Sequence, residues 1–382
     1  MHDQTRDILN RLISFNTISD RTNNPLIEYV AGLLRKQDIE PILFTNEAGN
    51  KTGLIATIGP NGPGGVILSG HSDVVPVEGQ HWQSDPFTMI ERDNKLFGRG
   101  TADMKGFIAV CLAQVPDMLK AKLKSPIHIM ISYDEEITCE GVIPMLEYAK
   151  THLPTVKAVF VGEPTMMQVL NGHKGHYGYS VQVTGKPAHS ALFDTGISAN
   201  TIAARLVVWL DDRLQDFESR SAPNAFSPNY TTCHAGQING GTACNILAGE
   251  CRFEWDLRTL PQEDGTSFLA AFRLEADRLL KIAQKRAPEC AIEIIEDYAV
   301  PCLQPEAGGF AEALACELLS KTDIGVSPIS SEAGLFQRAG YPTVLIGPGD
   351  MGDAHKANEF VEIEQLNKCE SFIASLINYQ SS

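Results

Sequence analysis

GVILSGHSD, residues 65–73, is the stretch that decides the fold of this chain. It is a short run of apolar and β-branched residues that ends in polar ones, a pattern typical of a buried strand. Three runs of the same kind lie around it in the sequence: GLIATIG at 53–59, IHIMISYDEE at 127–136 and AVFVGEP at 158–164. The first half of the chain is therefore expected to contain several short, buried strands.

Helical segments alternate with these strands. Apolar residues recur at helical spacing in Asp7–Phe15, Leu26–Leu34 and Lys105–Leu119. This alternation predicts an α/β fold, in which a mostly parallel sheet is flanked by helices on both faces. Ligands bind such sheets beyond the carboxyl ends of the strands, so the polar residues at the strand ends are candidates for a functional site.

The pattern changes near His176. YGYSVQVTG at 177–185 alternates like a strand with one buried face, and helices and strands of an α+β block follow it. The first pattern resumes after Tyr298, with PTVLIGPG at 342–349 and a last helix at 362–377. A chain of 382 residues exceeds the usual size of one core. We therefore expect a first domain formed by 1–176 and 299–382, with 177–298 inserted as a second domain.

Composition limits the classes of partner. The formal net charge is −16 and no basic run offsets it, which argues against a nucleic acid or an anionic membrane as partner. No apolar stretch approaches the roughly 20 residues that cross a bilayer, and the N-terminus does not resemble a secretory signal. Nine cysteines without a CxxC pair favour reduced thiols and a cytoplasmic location.

Seven residues could build a metal site. They are acids and histidines at predicted strand ends or in glycine-flanked loops: His71, Asp73, Asp103, Glu135, Glu136, Glu163 and His355. Zinc accepts imidazole nitrogens and carboxylate oxygens, and two ions about 3.5–4 Å apart need a carboxylate that bridges them. Two histidines, two glutamates and one aspartate complete such a centre. Two acids then remain, one as general base and one to hold an imidazole from behind.

Each of these residues has an alternative interpretation when taken alone. An aspartate before a helix is commonly a cap or turn residue, and a pair of glutamates is commonly a solvated acidic surface. A single histidine is more often hydrogen-bonded or exposed than a metal ligand. The joint arrangement favours the metal site, because most of the seven are expected at one edge of one sheet.

The sequence resembles the M20 metallopeptidase family over essentially its whole length. The resemblance is carried by GHSDVVPVEGQHWQSDPF, LFGRGTADMKGF, DEEITCEG, GEPT, HKGH, AHSA, DLRTLP, SEAGLF and GPGDMGDAHKANEFV. It implies that His71 and Glu163 bind one zinc ion, that Glu136 and His355 bind the other, and that Asp103 bridges them. It further implies a cis peptide bond after Asp103, Asp73 as the residue that orients His71, and Glu135 as the general base. Cobalt or manganese could replace zinc in such a site.

The resemblance also assigns roles to the inserted domain. It implies a lid that forms a homodimer, with His189 reaching the active site of the partner subunit as an additional hydrogen-bond donor. Asn245 and Arg258 are expected to bind the substrate carboxylate, for which the fork of an arginine is well suited. An interdomain salt bridge remains the alternative for Arg258. For Lys174 and His176, hinge structure and substrate contact remain equally open.

The expected activity is hydrolysis of the amide bond of an N-acyl amino acid. HWQSDPF, LFGRGTADMKGF, HKGH and DLRTLP are more similar to family members that act on N-acetyl-ornithine, a step of arginine biosynthesis, than to desuccinylases or dipeptidases. The alternatives are a succinyl-diaminopimelate desuccinylase, an aminoacylase or a dipeptidase on the same scaffold. A non-catalytic binding protein is disfavoured, because every expected ligand and the base are present.

Overall fold

A computed structural model of the chain describes all residues, 1–382. The helices are α1 (Asp3–Ile13), α2 (Asn24–Arg35), α3 (Lys105–Ala113), α4 (Val115–Lys120), α5 (Ile143–His152), α6 (Ala199–Ser219), α7 (Gly265–Gln284), α8 (Phe310–Leu319), α9 (Ala333–Arg338) and α10 (Ile363–Ser381). The strands are β1 (Ile42–Thr45), β2 (Thr52–Ile58), β3 (Gly65–His71), β4 (Ile90–Arg92), β5 (Lys95–Phe97), β6 (Ile127–Ser132), β7 (Val156–Val161), β8 (Val169–His173), β9 (Gly175–Thr184), β10 (Thr232–Gly240), β11 (Glu250–Thr259), β12 (Ala291–Val300), β13 (Ile324–Ser327), β14 (Thr343–Leu345) and β15 (Phe360–Glu362). None of the helices is both long and apolar enough to cross a membrane.

The chain divides into two compact units. The first comprises residues 1–172, 303–326 and 331–382, and the second comprises 173–302 with 327–330. Each unit has its own cluster of buried apolar side chains. All nine cysteines are free thiols, and six of them are buried.

The first unit is built on an eight-stranded sheet in the order β1-β2-β6-β3-β7-β14-β8-β13. Its four central strands, β6, β3, β7 and β14, run parallel. Every residue of β3 and β6 is buried, as expected for strands covered on both faces. The predicted α/β class with a central parallel sheet is therefore confirmed. The carboxyl ends of β6, β3 and β7 lie side by side at one edge.

The edges of this sheet differ from its centre. β1 and β2 form an antiparallel hairpin, β2 runs antiparallel to β6, and β8 runs antiparallel to β14. A short connection of the kind between β1 and β2 can join only antiparallel strands, because a parallel pair needs a longer crossover. The sheet is thus parallel where the predicted strand–helix alternation holds and antiparallel at its margins.

The helix predicted for Lys105–Leu119 is interrupted. The structure has two helices there, α3 ending at Ala113 and α4 starting at Val115. Pro116 has no N–H group, so it cannot donate to the carbonyl of Leu112 as a continuous helix would require. The prediction of a single helix was wrong because it followed the apolar spacing past this proline.

The second unit contains a four-stranded antiparallel sheet in the order β10-β11-β9-β12. Alternate residues of β11 are buried, which leaves one face of the sheet for the core. Buried side chains of α6 and α7 join those of the strands in one apolar cluster, in which Tyr179, Phe253, Trp255 and Phe272 are the largest members. Its role as a lid and dimerisation domain stays a prediction.

Candidate metal centre

Three strand ends supply most of the candidate residues. β3 ends at His71, with Asp73 two residues later, and β6 leads through a turn into Glu135 and Glu136. β7 leads into Glu163. Because β3 lies between β6 and β7 and all three are parallel, their carboxyl ends deliver these side chains to one place.

Asp103 lies between the two candidate histidines. It occupies the loop before α3, and the peptide bond between Asp103 and Met104 is cis, as the family resemblance implies. Its Oδ1 lies 3.0 Å from Nε2 of His71, and its Oδ2 lies 3.2 Å from Nε2 of His355. One carboxylate oxygen thus faces each imidazole, which is the arrangement that a bridging ligand requires.

The two glutamates take opposite sides of Asp103. Glu136 Oε2 lies 3.0 Å from Nε2 of His355. The potential ligand atoms of Glu163, His71 and Glu135 all lie within 4.8 Å of one another. Glu136 also falls within this distance of His71 and Asp103, but its direct contact is with His355. The structure therefore brings all five predicted metal ligands together.

Glu135 lies beside this group and makes no hydrogen bond to a histidine. Its Oε2 is 3.8 Å from Nε2 of His71, and the thiol of the buried Cys139 lies 3.6 Å from its Oε1. The side chain of Glu135 is only 9% exposed. This position differs from that of Glu136 and leaves a carboxylate oxygen available for proton transfer.

Asp73 contacts both the turn that carries Glu135 and Glu136 and the imidazole of His71. Its carboxylate accepts hydrogen bonds from the backbone N–H groups of Glu135 and Glu136, each at 3.2 Å, and from the hydroxyl of Ser19 at 2.8 Å. Nδ1 of His71 is held at 2.9 Å by the backbone carbonyl of Asp73, whereas the nearest carboxylate oxygen lies 3.6 Å away. The Asp73 carboxylate thus lies closer to the backbone of Glu135 and Glu136 than to the imidazole of His71.

The pKa values of these groups reflect an excess of buried carboxylates. Burial and the nearby Glu163 raise the pKa of Glu135 well above its ordinary value, and burial together with Asp103 raises the pKa of Glu136 to about 7. The hydrogen bonds to Asp103 and Glu136 raise the pKa of His355 to about 11. The acids compete for the few protons available, so positive charge at this place is strongly favoured.

The residues fit a pair of divalent cations. Glu136 Oε1 and Glu163 Oε1 are buried and have no hydrogen-bond partner, although a buried carboxylate oxygen is costly unless it is paired. The donor set of imidazole nitrogens and carboxylate oxygens is the one that zinc accepts. No hydrogen bond within the protein pairs these two oxygens, whereas metal ions bound here would pair them.

Glu332 was missed by the sequence analysis. It is fully buried at the start of α9, where its Oε1 accepts a hydrogen bond from Ser69 at 2.6 Å and its Oε2 accepts one from Ser132 at 2.7 Å. Ser69 lies two residues before the end of β3 and Ser132 is the last residue of β6, so Glu332 ties together the two strands that deliver His71 and Glu135. The signal in the sequence that could have identified it is that Glu332 is a single acidic residue among the small and apolar residues of SEAGLF.

The substrate residues predicted in the second unit form two groups. His189 and Asn245 are exposed neighbours: the backbone of His189 bridges to Ile246, and Ser190 N–H donates to the carbonyl of Asn245 at 2.9 Å. Arg258 is half-buried on β11 and lies 3.3 Å from Asp256 of the same strand. Their catalytic and substrate-binding roles stay predictions.

Lys174 and His176 have partners inside the second unit. The ammonium group of Lys174 donates to the carbonyl of Tyr230 at 2.6 Å, and burial lowers its pKa to about 8. Nε2 of His176 lies 2.8 Å from the hydroxyl of Tyr298, and burial lowers the pKa of this imidazole to about 3. These contacts favour a structural role for both residues.

The sequence of the chain is similar to those of known proteins. Residues 67–379 match the family model described as peptidase family M20/M25/M40. An acetylornithine deacetylase from Yersinia pseudotuberculosis is 31% identical over 368 residues, which covers 94% of this chain and 92% of that protein.

Two solved structures share the fold. An M20 family metallo-carboxypeptidase from Sulfolobus solfataricus has a TM-score of 0.76 at 18% identity, covering 100% of both chains. A protein from Bacillus subtilis described as a dinuclear metal-binding peptidase of the M20 family has a TM-score of 0.67 at 17% identity, covering 98% of this chain and 96% of that chain.

Proposed function

Since the chain belongs to peptidase family M20/M25/M40, we propose that it is a two-zinc amide hydrolase that removes the acetyl group from N-acetyl-ornithine, giving ornithine and acetate. The observation that carries the chemistry is the position of Asp103, which presents one carboxylate oxygen to His71 and the other to His355. The support for the substrate is the likeness to an acetylornithine deacetylase over 94% of the chain.

The residues divide into two ligand sets that share Asp103. His71 and Glu163 would hold one ion, and Glu136 and His355 would hold the other, with Asp103 common to both. When bound, two zinc ions supply a water of lowered pKa and an electrophile for the amide carbonyl oxygen. Manganese and cobalt accept the same donor atoms, so the native metal is a matter for elemental analysis.

Glu135 is the proposed general base. Burial raises the pKa of its carboxyl, which suits a group that must take up a proton and release it within one turnover. Glu135 would take the proton of the attacking water and return it to the nitrogen of the leaving amino acid. Asp73 would keep Glu135 in place through the backbone N–H bonds described above.

Substrate recognition is assigned to residues of the second unit. Arg258 would pair with the α-carboxylate, assisted by Asn245, and His189 of a dimer partner would donate a hydrogen bond to the carbonyl oxygen during attack. The product ornithine would place the reaction in arginine biosynthesis, in the cytoplasm.

Metal content is the first test. Protein purified without chelators should contain two zinc ions per chain, measured by elemental analysis, and Asp103→Ala should lose the ability to hold both. A wild-type maximum of one ion under zinc saturation would remove the bridging role of Asp103.

A substrate panel is the second test. Values of kcat/KM should be measured for N-acetyl-ornithine, N-acetyl-methionine, succinyl-diaminopimelate and a simple dipeptide. The acetylated amino acids should react best. A preference of roughly tenfold or more for either of the last two, about 1.4 kcal/mol of transition-state binding, would reassign the chain to a desuccinylase or dipeptidase of the same family. Cleavage of any of these amides by the metal-loaded protein would exclude the alternative of a non-catalytic binding protein.

A further inference from the structure

Glu359 holds the loop that carries Asp103. It is 1% exposed, and its Oε1 accepts hydrogen bonds from three backbone N–H groups of that loop: Gly100 at 3.0 Å, Ala102 at 2.9 Å and Asp103 at 3.1 Å. Convergent N–H groups of this kind form an anion-binding concavity, here filled by a side chain of the same protein. The orientation of the Asp103 backbone therefore depends on one buried carboxylate.

Arg99 links Glu359 to the segment that carries His355. Its guanidinium is 1% exposed and donates to Oε2 of Glu359 at 2.7 Å and to Oε1 of Gln80 at 2.7 Å. Gln80 in turn donates to the backbone carbonyl of His355 at 3.0 Å. A continuous chain of hydrogen bonds thus runs from the N–H of Asp103 to the carbonyl of His355.

The arrangement is reciprocal. Arg99 lies four residues before Asp103, yet its side chain reaches toward the segment of His355; Glu359 lies four residues after His355, yet its side chain holds the segment of Asp103. We propose that Glu359 and Arg99 are positioning residues that fix the distance between Asp103 and His355, and thereby the geometry and affinity of the two-metal centre. This inference rests on the proposed metal site and is independent of the substrate.

Neither residue forms a hydrogen bond or ion pair with the side chain of a proposed ligand, which separates their role from that of the ligands. Glu359 accepts hydrogen bonds from Arg99 and from backbone N–H groups of the Asp103 loop. Arg99 also donates to Gln80 and to backbone carbonyls, and its guanidinium lies over the ring of Trp82. A buried charge pair is a poor source of net stability, but removing one partner is strongly disfavoured because it leaves an uncompensated buried charge. Changes to residues that hold metal ligands in place typically cost about 10–100-fold in metal affinity or activity.

The test measures cobalt binding to metal-free protein by calorimetry and by the electronic absorption spectrum of the bound ion. Glu359→Gln keeps the length and one acceptor oxygen of the side chain but removes the charge that pairs with Arg99. It should weaken cobalt binding about 10–100-fold and change the absorption spectrum. The matched control is Glu370→Gln. Glu370 is also buried and accepts hydrogen bonds from Thr5 and the His2 backbone, so its variant should leave both readouts unchanged.

A double variant covers the case in which Glu359→Gln does not fold with an unpaired Arg99. Arg99→Met combined with Glu359→Gln removes both charges, and circular dichroism of the metal-free protein checks its fold. The double variant should fold and still bind cobalt weakly, because the link to Gln80 is lost. Wild-type affinity and an unchanged spectrum in the folded variants would overturn the inference. A failure of the proposed function looks different: two ions bound by the wild type, weakened in the variants, and no cleavage of N-acyl amino acids.

Discussion

Replacing Asp73 by asparagine distinguishes two ways in which this buried side chain could act. The family resemblance makes Asp73 the residue that orients His71, whereas the structure places its carboxylate nearer to the turn of Glu135 and Glu136. Asparagine has the same shape but lacks the charge, and its amide nitrogen must replace one oxygen. The oxygen is expected to remain at Oδ2, where Ser19 and Glu136 both donate, which leaves the new NH2 group facing the N–H of Glu135.

The size of the effect follows from that single lost contact. A hydrogen bond to a charged group is worth about 1.5–3 kcal/mol, which corresponds to roughly 10–100-fold in a rate or equilibrium constant. Since the lost bond fixes the backbone of Glu135, the loss should appear in kcat. Zinc affinity should change by less than about tenfold, because Nδ1 of His71 keeps its 2.9 Å bond to the Asp73 carbonyl.

The assay combines zinc titration of the metal-free protein with kcat on N-acetyl-ornithine at saturating zinc. Asp85→Asn is a matched control, because Asp85 is exposed and also accepts a backbone N–H bond, from Phe87 at 2.9 Å. The reasoning is refuted if Asp73→Asn lowers zinc affinity tenfold or more while kcat at saturating zinc stays within about threefold of wild type. That result would mean that the carboxylate acts through His71.

Three further predictions test the base, the fold and the dimer. Glu135→Gln should retain two zinc ions and lose at least about 10²–10⁴-fold in kcat; loss of zinc from this variant would mean that Glu135 and Glu136 have exchanged roles. His128 on β6 is fully buried, and burial lowers its pKa to about 4. Its stabilising contribution should therefore be complete above pH 6.5 and fall by up to about 3 kcal/mol as the pH drops to about 4, because only the unfolded chain binds the proton in that range. Urea unfolding of metal-free protein should show this difference between wild type and His128→Leu, and an identical pH dependence of the two would contradict it. If His189 acts across the dimer, mixing the inactive variants His189→Ala and Glu135→Gln under subunit exchange should restore part of the deacetylase rate, and no recovery after confirmed exchange would assign His189 to its own chain.

The parts of the fold that sequence patterns predicted are those with strong local signals. β3, β6 and β7 are short apolar runs that end in polar residues, and the structure has each of them close to its expected bounds. The small sheet of β4, β5 and β15 was not predicted, because strands of three residues are too short to show a period. Pro116, near the start of α4, is visible in the sequence. The prediction of one helix followed the apolar spacing past it.

The residues of the site likewise divide into those that the sequence predicted and those that it did not. The structure brings together the seven residues proposed from sequence, because five of them lie at or just after the ends of strands that the parallel topology places side by side. Glu332 and Glu359 were not proposed, although both are buried carboxylates next to the site. Their partners lie more than 190 residues away in the chain, at Ser69, Ser132 and the Asp103 loop, and no local pattern encodes such a pairing.

The charge balance of the centre leads to a last prediction. Asp103, Glu135, Glu136 and Glu163 surround two imidazoles, and two divalent cations would balance four carboxylates. Without metal, protons must provide that charge, which agrees with the raised pKa values of His71 and of His355, the latter about 11.

Because a metal ligand must give up its proton, loading both ions at pH 7 should release at least about two protons per chain, one from each histidine, and further protons from Glu136 and Glu163, whose pKa values are raised by burial. Zinc affinity should accordingly fall as the pH is lowered. Calorimetric titration with zinc in buffers of different ionisation enthalpy measures the release directly. Fewer than about one proton per chain at pH 7 would mean that His71 and His355 are already neutral, and Glu136 and Glu163 already ionised, before zinc binds.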